Sequence, residues 1–118
     1  MVKARIQVPA DGEICWFDFN PIRGHEQGGK RPALVISPHE YNAKTGLCLV
    51  CPVTSRSKGY PFEVAFSAKA LCGYILADHV RNLSWEKRNC RFVCRLDVDT
   101  IDEVKLKLQK LIDIKNVE

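Results

Sequence analysis

Arg31-Pro32-Ala33-Leu34-Val35-Ile36-Ser37, entered from the loop Gly24-His25-Glu26-Gln27-Gly28-Gly29-Lys30, is the stretch on which the reading of the fold turns. Its continuous apolar run, stopped by Pro38, reads as a buried strand. The residues before it bring a histidine, a carboxylate, an amide and two cations together with three glycines between Gly24 and Pro32. Proton-transfer and anion-binding groups on a loop anchored to a rigid strand are the usual setting of binding and catalytic chemistry. A solvated turn, with its glycines serving the backbone and its charges serving solubility, would use the same residue types.

Working outward, Gly12 to Phe19 alternates apolar and polar positions and ends at Asn20-Pro21, which predicts a strand followed by a loop. Asn42 to Gly46 reads as a turn. Leu47 to Val53 reads as a third strand, with Pro52 indicating an irregular end. Thr54 to Tyr60 reads as a polar loop, and Pro61 to Phe66 and Gly73 to Val80 as two further strands. Asn82 to Lys87 is expected to form one helical turn and Cys90 to Arg95 a last strand. The period then changes: Ile101, Val104, Leu108, Leu111 and Ile112 recur at helical spacing, and Thr100 with Glu103 matches a capping box at the helix start. Short strands followed by one helix predict a mainly β fold, a small, largely antiparallel β-barrel with a C-terminal α-helix covering one side.

The chain has 118 residues, which suits one domain over residues 1–118 with a hydrophobic core of its own. No apolar run has the length of a membrane span and no signal peptide opens the sequence, so no membrane contact and a cytoplasmic location are expected. Six cysteines raise the possibility of disulfides or zinc. A reducing compartment keeps them as thiols. Cys48 and Cys51 have CxxC spacing, but on a strand, positions three apart face opposite sides. Cys90 and Cys94 would share a face yet sit about 13 Å apart at roughly 3.3 Å per residue. The cysteines are therefore expected to act as small buried hydrophobes, with no metal and no cofactor. The net charge of +4 is modest, but its distribution is uneven. Arg81, Lys87, Arg88, Arg91 and Arg95 face a single acid, Glu86, between residues 81 and 95, whereas residues 97–103 carry four acids and no cation. Such a basic strip near Trp85 suits a polyanionic partner, although basic strips are also common solvated faces.

The blocks Gly12-Glu13-Ile14-Cys15-Trp16-Phe17-Asp18-Phe19-Asn20-Pro21, Gly24-His25-Glu26-Gln27 and Arg31-Pro32-Ala33-Leu34-Val35 together resemble the start of the MazF/PemK/Kid family of toxins from bacterial toxin–antitoxin pairs. The resemblance continues in order through Ser37-Pro38, Tyr41-Asn42, Lys44-Thr45-Gly46, Pro52-Val53-Thr54-Ser55, Ser57 to Val64 and Ala77-Asp78-His79-Val80-Arg81. The block from Ser57 to Val64 looks closest to the MazF branch. The resemblance implies an SH3-like barrel of the CcdB/PemK type that cuts single-stranded RNA (mRNA, or else rRNA or tRNA) without a metal. It also implies a homodimer neutralised by a cognate MazE-like antitoxin. Two other readings are a CcdB-like gyrase poison on the same barrel, which acts without catalysis and lacks a loop of this kind, and a non-catalytic barrel that only binds RNA or a partner.

RNA cuts itself when its 2′-hydroxyl is deprotonated in line with the adjacent phosphorus. This needs a base, an acid and a donor that stabilises the phosphorane charge. Arg31 is the first candidate for that donor, because its fork matches phosphate oxygens and its backbone is held where the loop enters the strand. The arginine of the family's Arg-Pro pair is catalytic. Thr54 can donate its hydroxyl to phosphate or simply cap a strand end. The resemblance assigns the threonine of Pro52-Val53-Thr54 to the scissile phosphate. Glu26 is either the base or the group that orients Arg31, and His25, titrating near neutrality, suits base or acid. Asp78 matches an acid implicated in the PemK branch, but Leu76 stands where that branch carries an arginine, which favours the MazF arrangement centred on Arg31 and Thr54. For RNA binding, Phe19, Trp16 and Trp85 are candidate stacking faces, Trp16 being equally suited to the core. His79 stands where relatives place a base-contacting glutamine. Lys58, Arg81 and Arg88 are phosphate-binding candidates, with Asn20, Gln27 and Ser55 completing the set.

Overall fold

Residues 7–19 and 29–113 are described by the computed structural model. Its elements are β1 (Glu13–Asp18), β2 (Lys30–Val35), α1 (His39–Thr45), β3 (Leu47–Thr54), β4 (Glu63–Ser67), β5 (Cys72–Leu76), β6 (Arg81–Ser84), β7 (Arg91–Arg95) and α2 (Val98–Ile112). All strand pairs are antiparallel and form one curled sheet in the order β4-β5-β3-β2-β1-β7, with β6 also paired to β3. The sheet is a half-barrel, and α2 packs beside β4, one of its two ends.

Strand β3 organises the sheet because it shares one of its edges between two neighbours. Its first half, Leu47 to Val50, pairs with β6, and its last residues, Val53 and Thr54, pair with β5. A single strand from Gly73 to Val80 cannot serve both halves. The chain therefore leaves β5 at Leu76, turns through Ala77 and Asp78, and re-enters as β6. The expected helical turn from Asn82 is thus replaced by a strand. Leu83, buried between exposed Asn82 and half-buried Ser84, carries the two-residue period, and turn residues follow only from Trp85. Pro52 lies within β3 opposite Ala33 instead of ending it.

The expected turn at Asn42–Gly46 is the second half of α1. This helix is too short to display a 3.6-residue apolar repeat, and Gly46 ends it in the left-handed conformation (φ 76°). Helix α2 also starts earlier than the Thr100/Glu103 pattern indicates. Asp97 is its N-cap and accepts bonds from the Thr100 amide (3.0 Å) and the Thr100 hydroxyl (2.7 Å). These bonds, the hydroxyl's first, hold the Asp97 carboxyl below its ordinary range. Val104 is fully buried and Ile101 and Leu108 pack against the core, while Leu111 and Ile112 remain exposed.

Two apolar clusters occupy the two faces of the sheet. One joins Ile14, Leu34, Cys51, Phe66 and Ile75 to α2, and the other gathers Cys15, Phe17, Val35, Cys48 and Trp85. Cys48 and Cys51 thus point into different clusters, as strand geometry requires. Burial pushes both thiols up to about 12. Cys72 departs from the expected pattern and is exposed on β5. Among the described residues, no helix is long and apolar enough to cross a membrane.

Between the clusters and α1 lies a buried polar knot. Asn42, fully buried, donates to the Pro9 carbonyl (2.9 Å) and the Ser37 carbonyl (3.1 Å), and its side-chain oxygen accepts from the Ser37 hydroxyl (2.6 Å). The Ser37 hydroxyl in turn accepts from the Leu49 amide, and the Asn42 carbonyl accepts from the Trp85 indole (both 2.9 Å). Truncation would leave several buried groups unpaired, each costing about 1–3 kcal/mol. Asn42→Ala is therefore expected to lower unfolding stability by roughly 2–4 kcal/mol. Urea denaturation checks this, and a loss below about 1 kcal/mol, the worth of an ordinary exposed hydrogen bond, would remove Asn42 from its structural role.

Candidate active site

The pairing of β2 with β3 runs from Val35↔Val50 to Ala33↔Pro52. Continuing that register two residues further sets Arg31 against Thr54. Both line one open cavity of about 380 Å³, together with Trp16, Ser55, Leu71 and Cys72. Trp16 reaches it from β1, where it lies opposite Pro32. Its 38% exposure resolves the two readings of this residue in favour of a surface face. Trp85 has the opposite outcome. It is 9% exposed, belongs to the core and donates to the Asn42 carbonyl, so it offers no stacking surface.

Gly73 fixes how closely β5 approaches the end of β3. A Cβ at this position would lie 2.7 Å from the Thr54 carbonyl oxygen, nearer than a carbon and an oxygen pack. The Thr54 hydroxyl also takes part in a turn, accepting from the Arg56 amide at 3.3 Å. Accepting that bond leaves its own proton available for donation to an anion in the cavity. The loop beyond is folded around Glu63, whose carboxylate accepts from the Lys58 amide and the Ser57 hydroxyl, both at 2.8 Å. These bonds, the Lys58 amide's first, keep the Glu63 carboxyl below its ordinary range. Lys58 is exposed on this loop and lines neither this cavity nor the next.

Arg31 also lines a second cavity, of about 450 Å³, with Phe19, Pro52, His79, Val80 and Arg81. The break between β5 and β6 delivers His79 here. Its Nε2 lies 3.7 Å from an Asp78 carboxylate oxygen, and Asp78 reaches the cavity only through this pair. The Arg81 guanidinium sits over the Phe19 ring, 5.1 Å from its centroid. One wall is thus an aromatic face and the other carries the donor and the acceptor of a histidine, groups of the kind that can stack on and hydrogen-bond an unpaired base. The expected basic strip is divided by structure. Arg88 donates to the Asp18 carbonyl (3.2 Å), and Arg95 is paired with Glu13 (3.4 Å) at the far end of β1. His25, Glu26, Gln27 and Asn20 lie outside the described residues.

The structure therefore brings Arg31, Thr54 and Ser55 together, and Phe19, His79 and Arg81 together, with Arg31 common to both groups. The sequence reading passed over Leu71 and Cys72 as cavity residues. Both lie just before or at the start of β5, and only the pairing of β5 with the end of β3 carries them to Thr54.

Residues 10–112 match the family model described as the PemK-like, MazF-like toxin of type II toxin–antitoxin system. The chain is 44% identical over 105 residues to the endoribonuclease toxin MazF of Escherichia coli K12, covering 89% of this chain and 95% of that protein. It is similar to a crystal structure of MazF from Deinococcus radiodurans (49% identity, TM-score 0.82, 92% of this chain and 99% of that one). It is also similar to MazF in a crystal structure of a MazE–MazF complex from the same organism (48% identity, TM-score 0.86, with the same coverage).

Proposed function

Because the chain belongs to the PemK-like, MazF-like toxins of type II toxin–antitoxin systems, we propose that it is an endoribonuclease toxin that cuts single-stranded RNA at chosen sequences. The observation that carries this reading is the placement of Arg31 between one cavity shared with Thr54 and a second shared with His79 and Phe19. A phosphodiester held by Arg31 and Thr54 leaves its neighbouring base within reach of the second cavity. Trp16 provides a stacking face on the opposite side.

The chemistry follows from these groups. A base removes the proton of the 2′-hydroxyl, whose oxygen attacks the adjacent phosphorus. The P–O5′ bond breaks and an acid protonates the departing 5′-oxygen, which gives a 2′,3′-cyclic phosphate and a 5′-hydroxyl end. Arg31 neutralises the charge that builds on the phosphorane, and Thr54 donates to a non-bridging oxygen. With a guanidinium in this place to carry the positive charge, the reaction draws on no divalent cation. Glu26 and His25 are the proton-transfer groups, Glu26 serving as base or as the partner that orients Arg31. His79 reads a base edge, with its donor and acceptor taking the place of an amide. The RNA substrate places the toxin in the cytoplasm.

A MazE-like antitoxin with an acidic, disordered tail fits the exposed cations Arg81, Lys87 and Arg91, and relatives of 42–48% identity have been crystallised as MazE–MazF complexes. The active toxin is a homodimer. Sedimentation at micromolar concentration should give the dimer mass, and a strictly monomeric species would contradict it.

Two further outcomes are expected of the purified protein. Cleavage of a long single-stranded RNA should persist in excess EDTA and leave 5′-hydroxyl ends. Arg31→Ala should keep the fold and leave RNA binding largely intact while lowering the rate by about 10²–10³. Cleavage that vanishes with chelator, or an Arg31→Ala variant as fast as wild type, refutes the mechanism. His79→Gln should shift the preferred cleavage motif, one base contact being worth about 1–3 kcal/mol. Sequencing the ends produced by both proteins from one RNA decides it, since an unchanged motif with a collapsed rate would make His79 catalytic.

A further inference from the structure

The two cavities at Arg31 are followed by a third. It measures about 480 Å³ and shares Arg81 with the base pocket, just as the base pocket shares Arg31 with the phosphate site. The three cavities thus form a row with one arginine at each junction. Asp18, Asn82, Ser84, Lys87 and Arg88 line the third cavity beyond Arg81. Resting on the RNA-cleaving reading above, we propose that this third cavity is a sequence-independent phosphate subsite. It would hold the RNA strand beyond the recognised base, and Lys87 would be its principal free-reaching cation.

The chemistry of the lining supports a nucleic-acid backbone as the occupant. Three cations and two neutral polar side chains face one carboxylate, Asp18. Among the described residues, no aromatic ring lines this cavity, in contrast to the pockets at Trp16 and Phe19, so the lining offers a base no stacking and suits the sugar–phosphate backbone. Several of these groups are held in place. Arg81 is stacked on Phe19, Arg88 is bound to the Asp18 carbonyl, and Asn82 donates to the Tyr41 hydroxyl at 3.0 Å. The Ser84 hydroxyl accepts from the Lys87 amide at 3.1 Å, which ties the backbone of Lys87 to β6. A chain that carries one phosphate per nucleotide meets successive cations at Arg31, Arg81 and Lys87 along such a row.

The test uses RNA oligonucleotides with one cleavage site, lengthened one nucleotide at a time on the 5′ side in one series and on the 3′ side in another. Wild type should gain kcat/KM with length in one series until the third cavity is filled. Lys87→Ala should lose that gain through KM, by about three- to tenfold on the longest RNA, while cutting the shortest as wild type does. Its salt dependence should fall by about one phosphate contact, its motif should be unchanged, and Lys87→Arg should restore the gain. Cleavage that is equally fast at every length in both series overturns the subsite and leaves the endoribonuclease reading standing. The same holds if Lys87→Ala matches wild type on the longest RNA yet binds a poly-glutamate peptide more weakly, which would assign the cavity to a protein partner. A wild-type protein that cuts no RNA instead overturns the endoribonuclease reading, and this inference with it.

Discussion

The hydrogen bonds of one buried side chain, Asn42, hold together the parts on which the site depends. A primary amide has two donors and an acceptor, and burying it without partners is costly. Here the donors go to Pro9 and Ser37 and the acceptor to the Ser37 hydroxyl, so the amide joins the segment before β1, the end of β2 and α1 in one place. The Ser37 hydroxyl extends the network to β3 at Leu49, and the backbone carbonyl of Asn42 accepts from the Trp85 indole after β6. An apolar side chain of the same size would fill the space but would leave the Pro9 and Ser37 carbonyls and the Ser37 hydroxyl proton without these partners. The knot thereby also explains why a two-turn helix with little intrinsic stability is formed at all.

The second constraint is the division of β3. Its edge is taken by β6 at one end and by β5 at the other, and the break this forces in the chain is where His79 stands. On its other edge β3 meets β2 from Val35↔Val50 to Ala33↔Pro52, a register whose continuation leads toward Arg31 and Thr54. Arg31 and Thr54 thus stand on strands of the sheet, and His79 in the connection between two strands. This division suits the roles proposed for them. Transition-state stabilisation demands fixed geometry, whereas base selection tolerates replacement of the reading side chain.

Charge is arranged at the site with similar economy. Arg95, at the far end of the basic strip, is engaged by Glu13, and Arg88 is held by a backbone carbonyl. Arg31 and Arg81 instead sit at cavity junctions, where one side chain lines two neighbouring cavities at once. Planarity matters here, because a fork of donors can address oxygens on two sides while its face stacks on a ring.

The local code of the chain carried most of the strands, the C-terminal helix and the key residue types. The continuous apolar run after Arg31, the alternation from Gly12 and the helical spacing from Ile101 are signals written in neighbouring residues, and periodicity transmits them directly. Arg31, Thr54 and His79 could be named as candidates because their chemistry and their ordered motifs are local too. Other features were not local. Whether Trp16 or Trp85 faces solvent depends on which side of the sheet each strand presents to the core. That α1 is a helix depends on a buried amide whose partners lie at Pro9 and Ser37. That residues 73–84 form two strands instead of one, and that Leu71 and Cys72 come to lie beside Thr54, follows from competition for the edge of β3. Sequence determined which groups were available. Only the pairing of distant strands decided which of them share a cavity, because hydrogen-bond register is a property of two segments and cannot be read from either alone.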